Sequence, residues 1–249
     1  PVVRVVVRWA RVTDAEFGMA VLDDAERARA GRRQNPAPFV TAHATLRQLV
    51  ADHSGREPSD VHFVRRCATC GSDRHGKPVP EGVALHVSLS YADNWVLAAA
   101  GTEAEIGVDV EGFAATDFDG FPRVFLNKTE YGAMASLTGE SLLRARATVL
   151  SRKESILKAT GHGLAIDPTS IAVSAANQPP ALRSWTTSPS APERLTVVDL
   201  DPPAPTHAAA LAVLHRAPAT VALASPPRPA TKSTPRHSHG LCSRVGKLA

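Results

Sequence analysis

The sequence predicts an α+β protein of two similar subdomains, each of antiparallel strands packed with helices, followed by a disordered C-terminal tail. Three observations carry that prediction. Helical patterns followed by short strand-like runs occur twice in the same order along the 249 residues. The runs are short, β-rich and separated by tight turn residues, as antiparallel strands are. From Pro226 onward the chain has five basic residues, no acidic ones and no apolar periodicity, a composition that cannot bury enough surface to fold. The expected division is residues 1–104, 105–222 and a tail 223–249.

Val2 to Trp9 is a β-branched run and reads as a strand, after which Thr13-Asp14 offers an N-cap for a helix through about Ala30. A second helix is expected from Pro36 or Ala37 to about His53. Proline suits its first turn, Phe39, Val40, Leu46, Leu49 and Val50 give it an apolar face, and Gly55 stops it. Val61 to Val64 is a short strand, and Cys67 to Glu81 is turn-rich. Leu85 to Ser90, Trp95 to Ala100 and Glu105 to Val110 then read as three strands of an antiparallel meander. Beyond Glu111 a loop rich in Asp, Gly and Phe runs to Pro122. A helix opens near Asn127 and a longer one spans about Glu140 to Thr160. Ile171 to Ser174, Leu195 to Leu200 and Ala208 to Leu214 are strands between Pro-rich connections.

Composition excludes several classes. No stretch approaches the ~20 apolar residues of a membrane helix, since Arg4 and Arg8 already interrupt the first apolar run. The N-terminal residues lack the ordered regions of a signal peptide. Three cysteines do not make a disulfide framework, so the cytoplasm is the expected compartment. The net charge of +4 belongs to the tail: residues 1–225 carry 23 basic against 24 acidic side chains. A near-neutral body without aromatics interleaved on a basic stripe argues against a nucleic-acid partner.

Two patterns could carry chemistry. In Gly107-Val108-Asp109-Val110-Glu111, strand alternation puts Asp109 and Glu111 on one face and Val108 and Val110 on the other. Adjacent carboxylates are either a solvated strand end or ligands of a hard divalent cation such as Mg²⁺, which takes one or two carboxylates together with water and phosphate oxygens. In Ser151-Arg152-Lys153-Glu154-Ser155-Ile156-Leu157-Lys158, helical spacing puts Ser151, Glu154 and Lys158 on one face, beside an apolar stripe of Leu143, Ala147, Leu150 and Leu157. Glu154 with Lys158 is either a surface ion pair or the rest of a metal and pyrophosphate site, if the helix crosses the end of the carboxylate strand. Cys67-x-x-Cys70 with His75 falls one ligand short of a closed zinc site, leaving Cys242 or His62 to complete it, and otherwise reads as a turn.

Taken together, Gly107 to Glu111 followed 45 residues after Asp109 by Glu154 in its Ser-Arg-Lys-Glu-Ser-Ile-Leu-Lys context resembles the paired signature of the 4′-phosphopantetheinyl transferases, of the two-subdomain surfactin-synthetase-activator type. His75-Gly76-Lys77-Pro78 resembles the family's Gly-Lys-Pro turn, and Val87 to Tyr91 resembles its Ser-His-Ser strand. Phe125 to Tyr131 resembles its Lys-x-Glu helix start, and Gly161 to Leu164 its Gly-x-Gly-Leu exit. The resemblance covers about residues 5–215. It implies Mg²⁺-dependent transfer of phosphopantetheine from coenzyme A to a serine of an apo carrier protein, with release of 3′,5′-ADP. It implies Asp109, Glu111 and Glu154 as metal ligands, Glu154 as the base with Glu130 or a metal-bound water as rivals, and Lys158 on the phosphates, with Lys153 either helping there or solvated. Thr45, Lys77, Pro78, Ser90, Tyr91 and arginines among Arg29, Arg32 and Arg33 are implied at the nucleotide end, and a monomer is implied as the working form. Tyr91 replaces the usual histidine and Leu150 the usual aromatic residue. Those departures motivate the alternative, a non-catalytic module that binds coenzyme A or a nucleotide.

Overall fold

The computed structural model describes residues 2–12, 18–65, 70–73 and 76–225. Strand β1 (Val3–Arg11) leads to helix α1 (Asp24–Gly31), helix α2 (Ala37–Ser54) and a small ribbon of β2 (Phe63–Arg65) with β3 (Pro78–Pro80). A hairpin of β4 (His86–Ala92) and β5 (Trp95–Gly101) ends the first half. The second half has the same order: strand β6 (Ile106–Gly112), helices α3 (Phe121–Phe125), α4 (Lys128–Ala133) and α5 (Gly139–Thr160), then a ribbon of β7 (Ile171–Val173) and β8 (Leu182–Trp185). It closes with the antiparallel pair β9 (Thr196–Leu200) and β10 (His207–Val213), and a last strand, β11 (Ala219–Leu223), follows.

The halves match in topology as well as in order. Each builds an antiparallel sheet whose central strand is the last of its hairpin, β1-β5-β4 in one and β6-β10-β9 in the other. The inner faces of the two sheets meet in one core, where Val3, Val5, Val7, Leu97 and Ala99 pack against Ile106, Val108, Val110, Ala209, Leu211 and Val213. A helix covers each outer face. Leu46, Leu49 and Val50 of α2 bury against Val87, Ala98 and Ala100, and Ala145, Val149, Ile156 and Ala159 of α5 bury against Val197 and Ala212. Alternation along the strands supplies both layers, because successive side chains point to opposite faces.

The helix ends follow local chemistry. Gly55 and Gly161 close α2 and α5 at φ of 71° and 76°, the left-handed conformation in which glycine has no Cβ penalty. Asn127 and Glu130 cap α4 reciprocally, through Asn127 Oδ1 accepting from Glu130 N and Glu130 Oε2 accepting from Asn127 N.

Three expectations change. The Thr13-Asp14 cap lies outside the described residues, and the chain turns at residues 20–22, so that α1 starts afresh from a capping box between Asp23 and Glu26. The meander does not form. One edge of β5 is taken by β4 and the other by β1, so β6 finds no free edge on β5 and instead belongs to the second sheet, beside β10. Finally, Pro78–Pro80, Leu182–Trp185 and Ala219–Leu223 are strands where none was expected, and β11 returns to pair in parallel with β1. The tail beyond residue 225 lies outside the described residues.

A buried polar network fixes α1 on α2. Glu26 accepts from His43 Nδ1 at 2.8 Å and from Arg47 Nε at 2.7 Å, and Arg47 also reaches Asp23 and the Val61 carbonyl. Burial pushes the Glu26 carboxyl up, but the His43 hydrogen bond and the Arg47 charge outweigh it and hold it at about 2. Burial holds His43 below its ordinary value, with Arg65 and Arg29 opposing the pull of Glu26.

Both groups bind protons more weakly in the folded state than in the unfolded one, so the stability they contribute is complete above their unfolded values and is lost on acidification. For Glu26 the window runs from about 4.5 down to about 2. Urea denaturation against pH should show an acid limb in that window, worth on the order of 3 kcal/mol, that Glu26→Gln flattens. At Gly107 a Cβ would lie 2.1 Å from the Ser155 carbonyl oxygen and 2.4 Å from Ala159 N, both backbone atoms of α5. Gly107→Ala should therefore cost about 3 kcal/mol or more in the same measurement.

Candidate active site

The close contact at Gly107 lays α5 across β6, and the residues next to it in both elements form the site. Gly107, Asp109 and Glu111 alternate toward α5 while Val108 and Val110 enter the core between the sheets. Glu154 and Lys158 come from the facing side of α5. The sequence-level condition, that the helix cross the carboxylate strand, is met by the missing side chain at Gly107.

Asp109 is only 3% exposed. Its Oδ1 accepts from Lys158 Nζ at 2.6 Å and from Ser90 Oγ at 2.8 Å, and Lys158 also donates to Ser90 Oγ at 3.0 Å. Its Oδ2 is buried with no hydrogen-bond partner. One residue of the first half, Ser90 on β4, thus joins two of the second, and Ser88 adds to the seam by accepting from Val108 N at 3.0 Å.

Glu111 and Glu154 flank Asp109 and are half-buried. Burial, then the Asp109 charge, push Glu111 up to about 8 against the pull of Lys158, with Glu154 adding repulsion. Burial and Asp109 raise Glu154 in the same way. Three carboxylates with one ammonium among them are short of positive charge, and the unpartnered oxygen of Asp109 is where more would bind. As the side chains stand, no three His, Cys, Asp or Glu among the described residues are arranged to hold a metal ion. Asp109 has its Oδ1 on Lys158 instead.

Glu130 and Lys153 depart from their expected places. Lys153 is fully buried and donates to Glu130 Oε2 at 2.5 Å and to the Phe125 and Pro168 carbonyls at 2.7 and 2.9 Å, which uses all three of its N–H bonds. No donor remains for a phosphate. Glu130 Oε1 accepts from Val173 N at 2.9 Å, so its carboxylate ties α4, α5 and β7 together and has no part in the Asp109 cluster. Helical geometry explains this, since Lys153 lies about 100° around α5 from Glu154.

The residues expected at the nucleotide end are spread over the first half. Thr45 is buried on α2 and Pro78 is buried in β3, paired with Arg65. Lys77 bonds Glu105 and the Ile106 carbonyl. Tyr91 is half-buried beside Ala42 and Val96. Arg33 stacks over the Phe39 ring at 4.5 Å, Arg32 is exposed at the end of α1, and Arg29 has a buried Nε without a hydrogen-bond partner.

Sequence reasoning missed Arg65, which donates to the Gly76 carbonyl at 2.9 Å and so holds the Gly76-Lys77-Pro78 turn. Burial and then the nearby Arg29 charge bring Arg65 down to about 10. It missed Glu105 too, because a lone charge at a strand end gives no periodic signal. Cys67, His75 and Cys242 lie outside the described residues, and Cys70 is exposed.

Residues 105–213 match the family model of the 4′-phosphopantetheinyl transferase superfamily. The chain is 30% identical over 154 residues to the 4′-phosphopantetheinyl transferase HetI of Nostoc sp. strain PCC 7120, covering 59% of this chain and 62% of that protein. It is 27% identical over 139 residues to the 4′-phosphopantetheinyl transferase Sfp of Bacillus subtilis strain 168, covering 53% and 58%. The matches thus span about three fifths of these relatives' length. A crystal structure of a holo-(acyl-carrier-protein) synthase from Bacillus anthracis str. Ames in complex with CoA (3′,5′-ADP) is 22% identical, with a TM-score of 0.38 over 44% of this chain and 94% of that one, too loose a superposition to bear on the site. The resemblance drawn from the motifs, to the superfamily and to its surfactin-synthetase-activator type, holds.

Glu130→Ala should strand the buried Lys153 ammonium and destabilise the fold by about 3–5 kcal/mol in urea denaturation.

Proposed function

We propose that this chain is a Mg²⁺-dependent 4′-phosphopantetheinyl transferase that moves the phosphopantetheine arm of coenzyme A to a serine of an apo carrier protein. The single observation that carries the reading is the buried Asp109. One of its oxygens is held by Lys158 and Ser90 and the other has no partner, with two more carboxylates of raised pKa beside it. Oxygen-only donors short of positive charge suit a hard divalent cation brought in with a pyrophosphate. The family-model match over residues 105–213 and the likeness to the transferase HetI over 154 residues support the reaction class.

In this reading Asp109, Glu111 and Glu154 hold the ion, through Asp109 Oδ2 first. When bound, Mg²⁺ would neutralise charge on the pyrophosphate oxygens. The carrier serine oxygen attacks the phosphorus that bears the pantetheine arm, the bond from that phosphorus to the bridging oxygen breaks, and 3′,5′-ADP leaves with the bonding pair. Lys158 places its ammonium against the phosphates, where negative charge develops. The serine proton needs an acceptor, and Glu154, which burial and the Asp109 charge raise from its ordinary value, takes that role in the form in which it is not itself on the ion.

Ser90 positions Asp109 and Lys158 across the seam. Because both halves of the site come from one chain, a monomer is the proposed working form.

Intact-mass spectrometry of apo fatty-acid, polyketide and peptide carriers, incubated with this protein and coenzyme A, tests the reading. A gain of one phosphopantetheine that needs Mg²⁺ and is abolished by EDTA is expected, and Asp109→Ala should reduce the rate at least a hundredfold while the protein stays folded. No gain on any carrier, with coenzyme A still bound, would overturn the transferase and leave the binding module. Undiminished transfer by Asp109→Ala would overturn the metal assignment.

A further inference from the structure

The seam between β4 and β6 has a second junction at the end away from Asp109. Glu105, just before β6, has one carboxylate oxygen on the Lys77 ammonium and the other 2.9 Å from His86 Nδ1. Lys77 donates a further bond to the Ile106 carbonyl at 2.6 Å. Three chain segments therefore meet at one carboxylate: the turn before β3, the head of β4 and the head of β6.

These groups stand on a cavity of about 260 Å³, whose walls also include Pro78, Leu85 and Thr102. The Lys77 side chain is largely buried. Burial pulls its pKa down while Glu105 lifts it, so the ammonium depends on that carboxylate to stay charged where it is. The Glu105 backbone is held independently, its carbonyl accepting from Leu214 N at 2.9 Å. The strand end is therefore anchored without the side chain, which is free to serve the turn.

We propose that Glu105 is a positioning residue for coenzyme A, its carboxylate holding Lys77 and His86 so that the Gly76-Lys77-Pro78 turn and the head of β4 keep the width of the cavity that receives the nucleotide end. The inference rests on the coenzyme A reading above. Glu105 touches neither the Asp109 cluster nor the atoms that react. Its effect passes through Lys77, and that dependence distinguishes it from a residue that merely supports the fold.

The test is calorimetric titration of coenzyme A into the full chain, with Glu105→Ala, Lys77→Ala and the double variant compared with the parent. Glu105→Ala should weaken binding about tenfold, and in the Lys77→Ala background it should add less than twofold, because coupled residues are not additive. In turnover the loss should fall on the KM for coenzyme A and leave kcat within about twofold. Glu105→Gln keeps the shape and half of the hydrogen bonding. It should recover part of the affinity, and it serves as the folded variant should the alanine form melt.

Binding by Glu105→Ala or Glu105→Gln equal to that of the parent, or losses that multiply independently in the double variant, would overturn the inference alone. A parent chain that binds no coenzyme A would overturn the reading on which it rests.

Discussion

At Gly107 the backbone of α5 comes so close to that of β6 that no side chain fits between them, and the positions of every charged group in the site follow from that contact. A strand presents alternate residues to the same neighbour, and a helix returns to the same face every three or four residues. Once the two backbones touch at one point, Asp109 and Glu111 are carried outward along β6, and Glu154 and Lys158 along α5, on matching sides. A methyl group at that point would lift the helix and separate the carboxylates from the ammonium.

The same helix separates structure from chemistry within three residues. Arg152, fully buried, donates to both oxygens of Asp199 and to the Ser174 and Ala175 carbonyls. Lys153 turns to Glu130, Phe125 and Pro168. Glu154 faces the Asp109 cluster. Each step of about 100° sends the next side chain into a different layer. The two cations are consumed in fastening α5 to the surrounding loops and strands, and these buried charges are tolerable because their hydrogen bonds are complete. The Asp109 cluster is the opposite case, a buried carboxylate with one oxygen unmet.

The two halves meet in two ways. Their sheets press face to face through branched aliphatic side chains, a non-directional contact that holds the halves together. Along the seam between β4 and β6 the contact is polar and specific: Ser88 to Val108, Ser90 to Asp109, and Glu105 to both Lys77 and His86. These bonds fix the halves to one another at the ends of a single seam, the Asp109 cluster at one end and the cavity by Lys77 at the other.

Much of this was legible in the residues. The alternation of Gly107 to Glu111, the spacing of Ser151 to Lys158 and the capping glycines at 55 and 161 are local patterns, and local patterns determine which face a side chain takes and where a helix stops. They placed Asp109, Glu111, Glu154 and Lys158 on the faces they occupy, and the motifs they form led to the superfamily that residues 105–213 match. What the sequence could not supply was pairing at long range. That β6 leaves the hairpin because β1 already holds the edge of β5, that β11 returns to β1, that Lys153 finds Glu130 rather than a phosphate, and that Glu105 meets Lys77 across 28 residues were decided by the tertiary structure. Local propensity acts over a few neighbouring residues, whereas these contacts depend on which edges and buried charges are left unsatisfied once both sheets have packed.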